Sequence, residues 1–251
     1  MNELLLAIIQ GLTEWLPISS SGHLALAEQF LGMKTNIAYD LALHLGTLLA
    51  VFIYFRKELW DMLQALITWN TKDKNFTLIG KLALASIITG IFGYYGYNYF
   101  TPSFNNLIII GLLFIINGIY LVFTARHNGK ETTTWFYAAI IGFAQIFSLF
   151  SSISRSGATI GTALLLGIKK EEAFTFSFLL SIPAIIGANI YTLSKETITW
   201  NTMSIAGILV AAIVGYVALI WCKKWLVNNK FTYFGWYTII LGTLVLIITL
   251  L

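Results

Sequence analysis

Six largely apolar segments, each close to twenty residues long, dominate this sequence. A helix needs roughly 20 apolar residues to cross the hydrocarbon core of a bilayer. Charged residues make up 10% of the chain, whereas soluble domains carry roughly 25%. The sequence therefore predicts an all-α polytopic membrane protein, and a large soluble helical core fits much less well. The segments are about 39–55, 82–100, 106–125, 173–193, 203–222 and 233–251.

Two further apolar regions, about 3–32 and 135–168, are interrupted by Ser, Gly, Pro and charged residues. Cytoplasmic loops of membrane proteins carry an excess of Lys and Arg. If region 135–168 enters and leaves on the cytoplasmic side, only Lys34 and Lys195 remain as external basic residues. If region 135–168 crossed the membrane once instead, the excess of basic residues on the cytoplasmic side would largely disappear. We therefore predict that both regions are re-entrant hairpins, with the first starting and ending outside.

This topology predicts an inverted repeat, because each half has one re-entrant hairpin followed by three spanning helices of opposite orientation. We expect a single integral membrane domain over residues 1–251, with halves at about 1–127 and 128–251. The amphipathic segment 58–70 is expected to lie at the interface or to form a partial helix. A shift of 135 residues supports the repeat by placing "ISSSG" over "ISRSG". It aligns Gln10 with Gln145, Ser19 with Ser154, Ser21-Gly22 with Ser156-Gly157, and Leu31-Gly32 with Leu166-Gly167.

Composition narrows the functional classes further. Cys222 is the one cysteine of the sequence, which excludes an internal disulfide and a cysteine-based metal site. The formal charge of +4 comes from basic residues spread over the loops, so membrane topology explains it better than nucleic-acid binding. Glu3 stands where a signal peptide would carry positive charge, so we expect the N-terminal segment to belong to the mature protein.

The first interrupted region contains "QGLTEWLPISSSGH", residues 10–23, within otherwise apolar sequence. Pro17 is expected to interrupt the helix. Non-helical backbone at membrane depth occurs where protein buries it or where it lines a water-filled cavity. Glu14 could act there as a general base, a metal ligand or a structural partner. His23 could move a proton, attack phosphorus or simply make a helix contact.

The second interrupted region contains "SSISRSGAT", residues 151–159. An arginine inside a membrane segment marks a functional site or a structural ion pair. The guanidinium of Arg155 matches phosphate oxygens in geometry, and Ser154, Ser156 and Thr159 add hydroxyl groups around it. The alternative is that Arg155 only pairs with Glu14 and holds the hairpins together. The combined pattern predicts an anion site between the two hairpins.

Asp40 and His44 lie near the start of the first spanning segment, in "YDLALHLGT". Residues four apart share one face of a helix. We therefore expect both side chains to face the same cavity, either in contact with the site or behind it.

Together, "QGLTEWLPISSSGHL" and "SISRSGATIGTALLLGI" resemble the two motifs of the undecaprenyl-diphosphatase family (UppP, also called BacA), which are (E/Q)-x-x-x-E leading into L-P-x-S-S-[ST]-G-H, and P-G-x-S-R-S-G-A-T. The resemblance extends over nearly the whole chain, including "FSFLLSIPAIIGA" after the second motif. It implies an inverted repeat with two re-entrant hairpins in the cell membrane. It also implies removal of the terminal phosphate from a C55 polyprenyl diphosphate, which regenerates the lipid carrier for cell-wall glycan (peptidoglycan) synthesis.

The resemblance further implies a divalent cation, Mg²⁺ or Ca²⁺, and a site that opens to the outer side of the membrane. The implied partners are the polyprenyl diphosphate lipid and the bilayer, without nucleic acid, and a homodimer is left open. By motif position, the catalytic residues are Glu14, Ser20, His23 and Arg155. Glu14 is also the implied metal ligand. The implied substrate-binding residues are Gln10, Ser19, Ser21, Ser154, Ser156 and Thr159.

The nucleophile stays open between Ser20 and His23. Two positions depart from the family motifs: Gln10 replaces an acid, and Ser151-Ser152 replaces Pro-Gly. The second departure is expected to loosen the turn before Ser154. The competing function is a transporter or flippase of polyprenyl phosphate, because inverted repeats with broken helices are also a transporter architecture.

Overall fold

The computed structural model describes residues 2–33, 37–100, 106–127, 129–195 and 202–251. These ranges contain eleven α-helices and one short 3₁₀ helix, and no β-strand. The α-helices are α1 (Asn2–Trp15), α2 (Ser20–Phe30), α3 (Ile37–Tyr54), α4 (Arg56–Ile67), α5 (Lys74–Phe100), α6 (Leu107–Thr124), α7 (Trp135–Gln145), α8 (Arg155–Leu165), α9 (Lys170–Lys195), α10 (Thr202–Val227) and α11 (Thr232–Leu250).

Six of these helices, α3, α5, α6, α9, α10 and α11, are long and apolar enough to cross a membrane. This confirms the predicted all-α polytopic class and the six predicted segments. Helix α5 begins at Lys74, earlier than the sequence suggested, and α10 continues to Val227. The partial helix expected near 58–70 is α4, with 12 residues. The turn 101–105 and Lys34, which entered the orientation argument, lie outside the described residues.

The remaining apolar helices form two pairs, α1 with α2 and α7 with α8. The longest of them, α1, has 14 residues and so extends only about 21 Å, which is less than the ~30 Å hydrocarbon core. The segment before α7 meets the segment after α8, because Glu131 N donates to Gly167 O at 2.9 Å and Lys169 N donates to Glu131 O at 3.1 Å. The re-entrant orientation of the pairs and the inverted repeat stay predictions.

Helices from the two predicted halves pack closely on each other. Helix α10 lies against α1 and α3, and α11 lies against α6. Glycines allow the latter contact, since a Cβ atom at Gly118 would lie 2.5 Å from the carbonyl oxygen of Gly235, and one at Gly111 would lie 3.0 Å from that of Gly242. Small residues let helix backbones approach closely in membranes. The two breaks lie at 16–19 and 146–154; the first is buried, whereas the second runs from exposed Phe147 to buried Ser154.

Candidate active site

The two breaks end on the same arrangement of serine hydroxyls. Ser19 caps α2: its Oγ accepts a hydrogen bond from the backbone N–H three residues later at 3.5 Å and lies 3.2 Å from Ser21 Oγ. Ser154 caps α8 in the same way, with distances of 3.0 Å to the N–H three residues later and 3.1 Å to Ser156 Oγ. Each break therefore presents a capped helix N-terminus, which is the positive end of a helix dipole.

Glu14, near the end of α1, connects the two breaks. Its Oε2 accepts hydrogen bonds from Ser20 Oγ at 2.5 Å and from Gln10 Nε2 at 3.2 Å. Its Oε1 accepts one from Arg155 Nη2 at 3.2 Å, and His44 Nε2 lies 4.0 Å from Oε2. The carboxylate side chain is 9% exposed. The predicted catalytic residues Glu14, Ser20 and Arg155 thus form one hydrogen-bonded group, and His44 faces the same carboxylate.

Arg155, the first residue of α8, is held on several sides. Its Nη1 donates to Ser177 O on α9 at 3.5 Å. Its guanidinium lies over the ring of Trp15, 5.3 Å from the centroid, and 6.0 Å from that of Phe178. Aromatic faces attract a cation electrostatically. Arg155 keeps 13% side-chain exposure, so its guanidinium is held in place in a largely buried site.

Thr159 lies behind Arg155 rather than beside its guanidinium. Its Oγ1 donates to Arg155 O at 2.9 Å and is 2.6 Å from Ser177 Oγ. The residue is 1% exposed, and Ser154 and Ser156 are similarly buried at 2% and 0%. In this structure the three hydroxyl groups serve hydrogen bonds within the protein, and their predicted contact with substrate stays a prediction.

His23 is bound on both ring nitrogens. Nδ1 lies 2.6 Å from Ser19 O and Nε2 lies 2.8 Å from the hydroxyl of Tyr237 on α11. A carbonyl oxygen only accepts, so neutral His23 carries its proton on Nδ1 and its Nε2 accepts from Tyr237. The ring also stacks on Tyr237 and meets Phe114 edge-on. His23 is therefore directed at α11.

The serines that replace the family's Pro-Gly keep the turn intact. Ser152 has a φ of 64°, in the left-handed region that glycine adopts at little cost. The residue is fully buried, and its Oγ has no hydrogen-bond partner among the described residues. The Ser154 cap nevertheless forms at 3.0 Å. The expected loosening is therefore not seen, and the chain adopts the turn at the expense of backbone strain.

The residues near Glu14 fit a divalent cation only together with a phosphate ligand. No group of three or more His, Cys, Asp or Glu side chains in the described ranges could hold a metal. Glu14 is the carboxylate of the cluster, and the buried Gln10 Oε1 has no hydrogen-bond partner among the described residues. Mg²⁺ is commonly bound by one or two carboxylates plus substrate phosphates. The donor set fits that pattern, and does not fit a cage built from protein alone.

Several contacts of the site had no counterpart in the sequence-based prediction. Trp15 and Ser177 lie within stretches that carry the resemblance, but their residue types gave no reason to assign them a role, and Tyr237 sits in an aromatic stretch that nothing distinguishes. Asn117 is different, because it is an amide inside the apolar segment 106–125, and an uncompensated amide there is costly. That isolated polarity is the signal that could have singled it out.

Comparison with known proteins finds a matching family and similar relatives. Residues 3–244 match the family described as bacitracin resistance protein BacA. The chain is 37% identical to the undecaprenyl-diphosphatase of Methanococcus vannielii over 94% of this chain and 95% of the relative. It is 37% identical to that of Thermosipho africanus, over 96% and 97%. It is 34% identical to that of Corynebacterium glutamicum, over 99% and 90%.

Proposed function

Since this chain belongs to the family of the bacitracin resistance protein BacA, we propose that it is a membrane phosphatase. It hydrolyses undecaprenyl diphosphate to the monophosphate and inorganic phosphate, and so recycles the lipid carrier for cell-wall glycan synthesis. The observation that carries this function is the placement of Glu14, which hydrogen-bonds the hydroxyl of Ser20 and the guanidinium of Arg155 at the meeting point of two helix N-termini. The relatives of this chain are named as phosphatases, and nothing in the comparisons supports the transporter alternative.

Arg155 binds the diphosphate in this proposal. Hydrolysis of a phosphoanhydride places negative charge on the transferred phosphoryl oxygens and on the leaving phosphate. The guanidinium offers several donors in a planar fork that suits these oxygens. Its position at the first residue of α8 adds the positive end of that helix. Arg155 must then share its donors between Glu14 and the substrate.

Ser20 is the proposed nucleophile. Its hydroxyl lies 2.5 Å from Glu14 Oε2, so Glu14 can accept the proton as Ser20 Oγ forms a bond to the terminal phosphorus. The bond between that phosphorus and the bridging oxygen breaks, and undecaprenyl monophosphate leaves. Water then attacks the phosphorus of the phosphoserine and the bond from phosphorus to Ser20 Oγ breaks. Glu14 returns its proton to Ser20 Oγ, and the protons of the water leave with the phosphate. The bonded ring nitrogens of His23 favour Ser20 over His23.

His23 has a supporting place in this proposal. Its bond to Ser19 O joins the imidazole to the residue that caps α2, and its bond to Tyr237 joins it to α11. It thereby stabilises the N-terminus of α2, where Ser20 stands. A divalent cation, Mg²⁺ or Ca²⁺, would be held by Glu14 together with the substrate, where it would neutralise phosphate charge.

The active site is proposed to open toward the outer side of the cell membrane. Basic loops gather at one end of the bundle: Lys170 donates to Asn229, Lys81 donates to Thr133 O, and Thr133 N donates to Glu172. By the positive-inside rule this end is cytoplasmic. The start of α1 lies beside the start of α3, since Tyr39 donates to the Glu3 carbonyl. Arg56 and Lys57 follow the other end of α3, which supports an opposite opening for the first pair.

Phosphate release by purified protein in detergent tests this function. We expect release from undecaprenyl diphosphate and from the shorter farnesyl diphosphate when Mg²⁺ or Ca²⁺ is supplied. The same protein in liposomes should not move polyprenyl phosphate between leaflets faster than empty liposomes do. Absence of phosphate release from a folded wild-type protein with either cation would contradict the proposal.

The identity of the nucleophile is tested by rapid quench with radiolabelled diphosphate. A phosphoryl group should be trapped on Ser20 and should be absent from Ser20→Ala. Recovery of label on His23 would overturn the assignment of Ser20 and leave the phosphatase activity itself standing.

A further inference from the structure

Asn117 is a buried amide near the middle of α6, and it touches both breaks at once. It is 2% exposed. Its Nδ2 donates to Pro17 O in the first break at 3.2 Å, and its Oδ1 accepts from Ser154 N in the second break at 3.0 Å. Backbone groups at membrane depth must be satisfied within the protein. One side chain therefore satisfies a carbonyl from one break and an N–H from the other.

The two bonds fix which way the amide points. Pro17 O can only accept and Ser154 N can only donate. An amide turned by 180° would place oxygen against oxygen and N–H against N–H. Among side chains of this size, only an amide offers a neutral donor and a neutral acceptor in one plane, so leucine, which has the same number of side-chain heavy atoms, would lose both bonds.

The surrounding face of α6 contacts the same two helix starts. Phe114, Asn117 and Leu121 share this face, being three and four residues apart. A Cβ atom at Gly22 of α2 would lie 2.5 Å from the Phe114 ring, and one at Gly157 of α8 would lie 3.2 Å from Leu121 Cδ2. Helix α6 thus lies against the N-terminal turns of α2 and α8, with Asn117 between the two contacts.

Asn117 provides a second connection between the breaks that does not involve the substrate groups. The first connection is the Glu14–Arg155 pair at 3.2 Å. A bound diphosphate competes for the donors of Arg155 and weakens that pair. The two hydrogen bonds of Asn117 are made to backbone atoms and remain when Arg155 turns to phosphate.

We propose that Asn117 is a positioning residue, which sets the separation of the two breaks and so keeps Arg155 in register with Glu14 and Ser20 during turnover. This inference rests on the proposed phosphatase function. Ser154 immediately precedes Arg155, and Pro17 lies three residues before Ser20, so a shift of either break moves a reacting group directly. A displacement of about 1 Å in an active site can lower a rate about 100-fold.

The test is Asn117→Leu, with Asn189→Leu as the matched control. Asn189 is a buried amide of another spanning helix, α9, and its Nδ2 has no hydrogen-bond partner in the described ranges. Asn117→Leu should lower kcat for phosphate release about 100-fold and change KM less than about threefold. Backbone hydrogen exchange in peptides covering 150–160 should accelerate, since Ser154 N–H loses its acceptor. Asn189→Leu should leave kcat, KM and this exchange unchanged.

Wild-type kcat and exchange in a folded Asn117→Leu protein would overturn the proposal, as would a raised KM with unchanged kcat. Thermal unfolding in detergent establishes whether the variant is folded. If it is not, Asn117→Ser decides, because its short hydroxyl cannot reach both breaks: about tenfold lower kcat supports the proposal, and wild-type kcat overturns it. If the wild-type protein releases no phosphate but Asn117→Leu still shows faster exchange, the proposed phosphatase function is wrong, and the connection that Asn117 makes between the two breaks is retained.

Discussion

The first break, which follows Trp15, and the second, which precedes Arg155, use the same backbone device with different side chains. In each, a serine caps the next helix and lies within about 3.2 Å of a second serine hydroxyl. At the 135-residue shift, Ser20 corresponds to Arg155, and Glu14 corresponds to Leu149. The residues that flank the first break therefore supply a hydroxyl and an acid, and the residue that follows the second break supplies a cation. The shared frame provides two helix N-termini, while the chemistry comes from the positions where the breaks differ.

The breaks also differ in where they place the left-handed residue. In the first break it is the cap itself, Ser19, with φ 68°, and in the second it is Ser152, with φ 64°. The position corresponding to Ser152 is Pro17, whose ring fixes φ near −65°. The first break consequently cannot turn at that position, and the positive φ moves to the cap.

Ser20→Ala should have the largest effect on this division of roles. Removing a nucleophile costs on the order of 10⁴-fold or more in kcat. Ser148→Ala is the matched control near the second break, because within the described ranges the hydrogen bond of Ser148 Oγ goes to the carbonyl of Gln145. Phosphate release by Ser148→Ala should equal wild type. Substantial turnover by Ser20→Ala would remove the distinction between the two breaks.

Arg155→Gln should lower kcat/KM by about 10²- to 10³-fold, because it removes the charge that stabilises the phosphoryl oxygens. It should also lower the free energy of unfolding by about 3 kcal/mol, since Glu14 loses its ion-pair partner in a buried site. The double variant Glu14→Gln/Arg155→Gln should regain stability and remain inactive. If the double variant unfolds as readily as Arg155→Gln, the pair is not the source of the instability.

Removing the helix caps Ser154 and Ser19 should change the free energy of unfolding by a smaller amount, and the two changes should differ. Ser154→Ala should lower the free energy of unfolding by about 1 kcal/mol, because its bond to the helix N–H is 3.0 Å long and buried. Ser19→Ala should cost less, since the corresponding bond is 3.5 Å. Thermal unfolding in detergent measures both. Equal losses would indicate that the two frames are energetically the same despite their geometry.

Ser152→Gly should give the smallest effect, a stabilisation of about 0.5 kcal/mol, because the greater freedom of glycine in the unfolded chain offsets part of the relieved strain. It relieves the positive φ and removes a buried hydroxyl that has no partner among the described residues. Ser19→Gly also relieves a positive φ but loses the cap oxygen, so its net change should be near zero. Unfolding measured on both variants compares strain in the two breaks, and destabilisation by Ser152→Gly would contradict the strain argument.

Much of this protein follows from local sequence. The six spanning helices are confirmed because partition into a bilayer depends on the composition of each segment of about twenty residues. The pairing of Glu14 with Arg155, which the sequence analysis left as one of two alternatives for this arginine, is present in the structure. The family followed from two motifs that together occupy little of the chain, and the match over residues 3–244 confirms it.

Only the tertiary structure decided how the breaks are held. His23 bonds Tyr237, 214 residues away, and Asn117 bonds Pro17, 100 residues away. Such partners depend on where along their length the helices of the two halves cross. Glycine contacts between α6 and α11 fix one of these crossings. Hydropathy fixes which segments enter the membrane, because it acts on each segment separately. Hydrogen bonds between segments require a particular rotation and depth of each helix, and those exist only once the helices have packed together.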